Sequence, residues 1–184
     1  MNMVFKLGLR SFISVDDTFL KGKANGQLLV AVGQDAQNHF YPLAWDVVDK
    51  ERKHSWNWFL QLLQGSIGLK EGEGITFMSY MQKGLIKTIK IILPQAHHKF
   101  CVRHIEANWC KTYNTRESKK LLWWCSWCTY EEDFKGQLSK LGELNKDAAE
   151  SLLKYPPPSW CRDYLDTICK NQSVDNNLIE SFNS

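Results

Sequence analysis

The chain has 184 residues, of which 43% are hydrophobic and 23% are charged, and its formal net charge at pH 7 is +3. This length suffices for one domain with a hydrophobic core plus an insertion, and the composition excludes disordered, collagen-like and coiled-coil proteins. The apolar runs are too short for a transmembrane helix, and the first ten residues lack the continuous apolar segment of a secretory signal.

The first hundred residues predict an α/β unit. Its strands are predicted at residues 12–15, 26–32, 39–48, 75–80 and 97–102, and its helices at residues 54–63 and 82–92. This order of three strands, helix, strand, helix, strand fits a mixed sheet with helices packed on it. Ser55 is the predicted N-cap of the first helix. Pro42 predicts an edge strand or a bulge, because proline has no backbone N–H to donate.

The chain changes character after residue 104. Residues 105–153 have helical periodicity, no clear strand and little Pro or Gly, and a proline run at 156–158 ends this block. A further helix is predicted at residues 160–169, and a last helix begins at residue 178. The sequence therefore predicts a sheet-containing core at 1–104, a helical block at 105–170, and the start of a further helix within 171–184.

The six cysteines, without a secretory signal, favour reduced thiols over a disulfide framework. Cys101 and His104 form a Cys-x-x-His pair, and Cys125 and Cys128 form a Cys-x-x-Cys pair. Four such ligands could bind Zn²⁺ tetrahedrally. We favour the alternative for Cys125 and Cys128, in which they are small core residues on a tryptophan-rich helix. For Cys101 and His104, zinc binding or another active-site role and simple packing both stay open.

Asp16 and Asp17 follow the first predicted strand directly. A carboxylate at a strand end can hold Mg²⁺, a cation that prefers oxygen ligands. Two such ions can activate a water molecule and stabilise the leaving oxygen in phosphodiester cleavage. The alternative is that the two aspartates only begin a turn.

Three segments carry a family resemblance in a fixed order. They are residues 16–63 (DDTFLKGKANGQLLVAVGQDAQNHFYPLAWDVVDKERKHSWNWFLQLL), 81–108 (MQKGLIKTIKIILPQAHHKFCVRHIEAN) and 173–184 (SVDNNLIESFNS). Together they resemble the catalytic domain of Mutator-like element (MULE) transposases of plants over nearly the whole chain, and several long motifs make the likeness specific. The resemblance implies a ribonuclease H-like core at 1–104 with an all-helical insertion at 105–170. The last catalytic helix would return to the core and is truncated within 171–184. The resemblance also implies an Asp, Asp, Glu triad that binds Mg²⁺ or Mn²⁺.

The resemblance assigns the triad residue by residue. The family motif Asp-Gly-Thr-Phe-Leu-Lys-Gly matches residues 16–22, so Asp16 is the first catalytic and metal-binding residue and Asp17 takes the glycine position. The motif Asn-Asn-x-x-Glu-Ser-Phe-Asn matches residues 176–183 and makes Glu180 the third. The second Asp, in Ser-Asp-Arg-Gln-Lys-Gly-Leu, is replaced by Tyr80. A phenol, with a pKa near 10, is a poor ligand for Mg²⁺.

The exchange at Tyr80 predicts a copy that is inactive or severely impaired, although it is a transposase by descent. No acidic residue lies between Glu73 and Glu106, so no sequence neighbour can substitute directly. The resemblance implies that the ancestral reaction is metal-dependent DNA cleavage and strand transfer at transposon ends, in the nucleus, and a homodimer is a candidate assembly. The alternative function is a domesticated, non-catalytic, DNA-associated module similar to the far-red-impaired-response transcription regulators. A third hypothesis is an expressed fragment with no function.

Residues 82–120 hold nine Lys or Arg against two Asp or Glu, which suits a surface that contacts a polyanion. Lysine serves phosphate groups as a point charge. The candidate DNA contacts are Lys21, Lys23, Lys83 and Lys87. The alternative for each of them is ordinary solvated surface.

Overall fold

The computed structural model describes residues 8–20, 25–37, 39–162 and 173–175. It has a mixed α/β fold built on a five-stranded mixed sheet. The strands are β1 (Leu9–Phe19), β2 (Gln27–Asp35), β3 (Phe40–Val48), β4 (Thr76–Ser79) and β5 (His97–Phe100). Their order in the sheet is β3-β2-β1-β4-β5, with β1 antiparallel to β2, β2 antiparallel to β3, and β1 parallel to β4. The predicted fold class is confirmed, and this arrangement is compatible with a ribonuclease H-like fold.

The β1–β2 hairpin corrects the predicted end of the first strand. β1 continues through both aspartates to Phe19, which pairs with Gln27. The prediction that Asp16 lies at a strand end was therefore wrong. Asp16 and Asp17 are weak strand formers taken alone, but their backbone groups pair with the regular, hydrophobic strand β2. Tertiary pairing thus extends β1 beyond its own β-branched run.

The prediction from Pro42 is confirmed in both of its parts. β3 is an edge strand in the order of the sheet. The pairing of β2 with β3 shifts its register between Ala31, opposite Ala44, and Val32, opposite Pro42. One extra residue is accommodated there as a bulge, which is a position that proline tolerates.

Two helices cover one face of the sheet, α1 (Lys53–Ile67) and α2 (Lys83–Ile92). Ser55 does not cap α1. It lies inside the first turn, where its hydroxyl donates to the Lys50 carbonyl at 3.0 Å, and Arg52 takes the N-cap position without a side-chain bond. Gln82 does cap α2, because its side chain accepts a hydrogen bond from the Leu85 amide.

The main hydrophobic core lies between these helices and the sheet. β1 and β2 contribute alternate residues, as expected for strands with one face on a core. The helices contribute residues at helical spacing. The fully buried members include Ile13, Val15, Leu29, Ala31, Trp56, Leu60, Phe77, Leu85 and Ile89.

The chain divides into two compact units, with a boundary between Lys99 and Phe100. The described part of the second unit is helical, as predicted for this block, and consists of α3 (Val102–Trp109), α4 (Arg116–Trp127), α5 (Glu131–Leu144), α6 (Lys146–Leu152) and a short 3₁₀ helix (Pro157–Ser159). The predicted helix at 160–169 falls mostly outside the described residues, and so does the predicted C-terminal helix from 178. Among the described helices, none has both the length and the apolar character required to cross a membrane.

Candidate functional site

The position that the family pattern reserves for its second aspartate lies at the end of β4. Tyr80 follows Ser79, the last residue of that strand. The parallel neighbour β1 pairs Ser14 with Met78, so Asp16 and Tyr80 each lie two residues beyond this pair. The structure therefore places Asp16 and Tyr80 at matching positions along two adjacent parallel strands, although β1 continues beyond Asp16 to Phe19.

The side chains of Asp16 and Asp17 lie on opposite faces of the sheet, because successive side chains of a strand point to alternate faces. Asp17 shares the face of Ile13 and Val15, which pack in the core under the two helices. Asp16 is buried on the other face, and its Oδ1 accepts a hydrogen bond from the Asp17 amide at 3.0 Å. The aspartate on the helix-covered face is thus the one at the glycine position of the family motif.

The Tyr80 side chain turns toward this helix-covered face. Its ring packs against the main core, and its hydroxyl donates to Oε1 of Glu51, just before α1. The hydroxyl is also a hydrogen-bond partner of the Asp17 carboxylate. Tyr80 therefore stands between the carboxylates of Asp17 and Glu51.

Two further side chains complete this arrangement, which we call the Tyr80 cluster (Asp17, Gln27, Glu51, Trp56 and Tyr80). The indole Nε1 of Trp56 donates to Glu51 Oε1 at 2.7 Å. The Gln27 amide donates to Asp17 Oδ2 at 2.7 Å, and its oxygen accepts from the Glu51 backbone N–H. Both carboxylates are consequently held by neutral donors.

Burial dominates the protonation behaviour of the cluster. It raises the pKa of the Asp17 carboxyl, an effect that the hydrogen bond from Tyr80 opposes and the Glu51 charge reinforces. Burial, together with the hydrogen bond to Glu51, raises the pKa of Tyr80 far above that of an ordinary phenol. Tyr80 is therefore a neutral hydrogen-bond donor across the physiological pH range.

These side chains do not fit a divalent cation. Mg²⁺ is usually held by one or two carboxylates, and Glu51 Oε1 already accepts hydrogen bonds from the Tyr80 hydroxyl and the Trp56 indole. Over the ranges that the structure describes, no group of three or more His, Cys, Asp or Glu side chains could hold a metal ion. Glu180, the predicted third ligand, lies outside the described residues.

Sequence reasoning missed the carboxylates that surround Tyr80. The acidic residues nearest to Tyr80 in sequence are Glu73 and Glu106, and neither belongs to the Tyr80 cluster. Glu51 is 29 positions away from Tyr80, and Asp17 lies on another strand. The sequence does contain a signal for Glu51. This residue lies just before α1, and the sequence predicts a helix there.

The candidate zinc residues lie in the second unit. Cys101 is fully buried and directly precedes α3, which contains His104. Cys125 and Cys128 are both buried, and the Cys128 thiol donates to the Trp124 carbonyl at 3.1 Å. Burial, and then the neighbouring Cys128, raises the pKa of the Cys125 thiol to about 12, which disfavours the thiolate that zinc needs. The five cysteines in the described ranges are all free.

Two of the candidate DNA contacts are described. Lys83 and Lys87 are exposed on the first two turns of α2, and the first turn of this helix holds no acidic residue. Within the described part of the chain, neither lysine forms an ion pair. Lys21 and Lys23 lie outside the described residues.

Comparison with known proteins identifies one family whose sequence model matches this chain. A sequence model of the MULE transposase domain matches residues 12–108, which is more than half of the chain. The match runs from within β1 into α3 and contains every member of the Tyr80 cluster. No curated protein matches the chain.

Proposed function

This chain belongs to the MULE transposase domain family, and we propose that it is a transposase-derived domain that contacts DNA and no longer cleaves it. Its ancestral reaction would be metal-dependent cleavage and strand transfer at transposon ends by a DDE-type triad. Asp16 and Glu180 would be the surviving members of that triad. Mg²⁺ or Mn²⁺ would have supplied the activated water and the stabilisation of the leaving oxygen.

The observation that carries the proposal is the state of Tyr80. A DDE site needs a carboxylate at this position to help hold two dications beside a phosphate. Tyr80 instead offers a neutral hydroxyl, whose pKa burial raises, and directs it at Glu51. Its ring is also packed against the core, away from the face of Asp16. Both features support weak or absent metal binding and a loss of cleavage.

Restoring the aspartate tests this proposal. Tyr80→Asp should gain Mn²⁺ binding measurable by calorimetry, and its DNA nicking should exceed the parent's by a factor of about 100 or more. Tyr80→Asn is the matched control, since it has the shape of aspartate without the charge. It should behave as the parent does. Circular dichroism establishes that each variant is folded, and saturating Mn²⁺ should raise the Tm of Tyr80→Asp alone.

Two outcomes would contradict the proposal. If the parent nicks DNA in Mn²⁺ as fast as Tyr80→Asp does, the exchange at position 80 has not removed catalysis. If Tyr80→Asp is folded and binds no Mn²⁺, the defect extends beyond one ligand, and descent from an otherwise intact DDE site fails as the explanation.

The second candidate function is a domesticated, non-catalytic regulator module similar to the far-red-impaired-response proteins. The hydrogen bonding of the Tyr80 cluster favours it, because both carboxylates are satisfied by protein donors and need no metal. An adjoining DNA-binding domain in the genomic sequence would support domestication, whereas flanking terminal inverted repeats would support a transposon. Either function implies a nuclear protein. A homodimer, testable by light scattering, is part of the same proposal.

A further inference from the structure

A groove of about 520 Å³ lies at the junction of β3 and α1. We call it the β3–α1 groove, and it is lined by side chains between Val47 and Trp58. The groove is separate from the Tyr80 cluster, although Lys50 and Arg52, which line it, are the sequence neighbours of Glu51. Nothing in the DDE assignment gives it a role.

Two cationic side chains, Lys50 and Arg52, line the groove. They flank Glu51 in the segment that joins β3 to α1. Glu51 turns inward to Tyr80 and Trp56, and both cations are exposed. In the described parts of the chain, Lys50 and Arg52 form neither a hydrogen bond through their side chains nor an ion pair. Asp49 is the one acidic side chain in the lining.

The surroundings of the groove add positive charge. A Cβ atom on Gly84 would lie 3.1 Å from the Lys53 Cα atom, so α1 and α2 begin side by side. Neither helix has an acidic residue in its first turn, and Lys53 and Lys83 are exposed at these two starts. The positive ends of both helix dipoles therefore reinforce the lysine charges. Such a field attracts a polyanion.

The groove also contains an aromatic surface. Trp58 is 45% exposed and lines the groove beside His54. An exposed indole next to exposed cations is the arrangement on which unpaired bases stack while their phosphates contact Lys and Arg. Bases in a duplex are stacked on each other and present no face to such a ring. The combination therefore favours a single strand over a duplex.

We infer that the β3–α1 groove binds an unpaired segment of DNA, with a base on Trp58 and phosphates at Lys50 and Arg52. This inference deepens the proposed function and rests on it for the identity of the polyanion. The groove would be a second DNA contact, in addition to the candidate contacts Lys83 and Lys87. A strand bound there would run beside the segment that carries Glu51.

Charge removal tests the phosphate contacts. The probe is fluorescein-labelled oligothymidine of about 12 nucleotides, titrated with the 184-residue chain in EDTA over a series of salt concentrations and followed by anisotropy. Lys50→Gln/Arg52→Gln should reduce the slope of log K against log salt by about 1.4, because each phosphate contact on a single strand contributes about 0.7. The charge-matched control, Lys90→Gln/Lys154→Gln, removes two exposed lysines elsewhere and should keep the parent slope.

Exchange of the indole tests the stacking. Trp58→Ala should weaken binding of the single strand about tenfold and leave binding of a duplex hairpin unchanged. Trp58→Phe should retain most of the affinity. The matched control is Trp45→Ala on β3, which is 61% exposed outside the groove and should bind as the parent does.

The outcomes separate this inference from the proposed function. If the parent binds no DNA, the proposed function and the inference both fail. If the parent binds and the groove variants bind equally well, DNA contacts lie elsewhere and only the inference is overturned. Equal losses on single strand and duplex for Trp58→Ala would overturn the stacking role. Tighter binding of a matched RNA strand would overturn the assignment to DNA.

Discussion

Trp56→Ala should lower the free energy of unfolding by about 4 kcal/mol, as measured by urea denaturation. Trp56 is fully buried in the main core, at 0% exposure, and its ring meets Phe59 edge-on at a centroid distance of 5.8 Å. Truncation removes this packing and leaves a cavity beside β1 and β2. It also removes the indole N–H that Glu51 accepts, so a half-buried carboxylate loses a donor.

The same helix provides the control for this prediction. Trp58, two residues further along α1, is 45% exposed, and Trp58→Ala should change the unfolding free energy by only about 0.5 kcal/mol. Trp56→Phe keeps most of the packing and loses the hydrogen bond, so it should fall between the two, at about 1–2 kcal/mol. A loss below about 1 kcal/mol for Trp56→Ala would mean that α1 does not pack on the sheet as described.

Acidification from pH 6.5 to pH 4 should destabilise the protein through His98, by up to about 1.4 kcal/mol per pH unit. Burial, reinforced by the charges of Lys90 and His97, lowers the pKa of His98 from 6.5 to about 4. Between these values the unfolded chain binds a proton at His98 and the folded chain does not. The contribution is therefore fully present above pH 6.5 and is lost as the pH falls toward 4.

His98→Gln isolates this contribution, because glutamine can still meet the Ser79 hydroxyl that lies 2.8 Å from His98 Nε2. The variant should have a flatter stability profile than the parent between pH 6.5 and 4, in urea titrations at fixed salt. Asp17 acts in the opposite direction at low pH, since its pKa is raised in the fold. The difference between parent and variant removes that effect. A profile in His98→Gln as steep as that of the parent would refute the assignment to His98.

Much of the fold could be predicted because its signals are local. The third strand was placed within one residue of β3, since alternating and β-branched residues end at clear turns, and Pro42 marked the bulge. The starts and ends of other elements depend on distant partners. β1 runs to Phe19 only because β2 pairs with it, and Ser55 lies inside α1 because the helix begins at Lys53.

For the candidate site, too, the local features could be predicted from the sequence and the distant contacts could not. The motif spacing placed Tyr80 at the end of β4, and the structure confirms that position. Its partners could not be predicted from spacing, because Asp17 and Glu51 reach it through sheet register and the entry of the chain into α1. Of the two adjacent aspartates, only Asp17 lies on the face toward which Tyr80 turns, because successive side chains of β1 point to opposite faces of the sheet. A motif alignment does not show which face a residue occupies.

The bulge at Pro42 has a consequence for self-association. β3 is an edge strand with exposed aromatic side chains at Tyr41 and Trp45, the kind of segment onto which another chain can add a strand and start a fibril. The bulge bends this strand and breaks its regular row of free backbone groups, and β5, at the opposite edge, has only four residues. The sheet is therefore poorly suited to growth at either side, which protects a tryptophan-rich chain from aggregation while it folds.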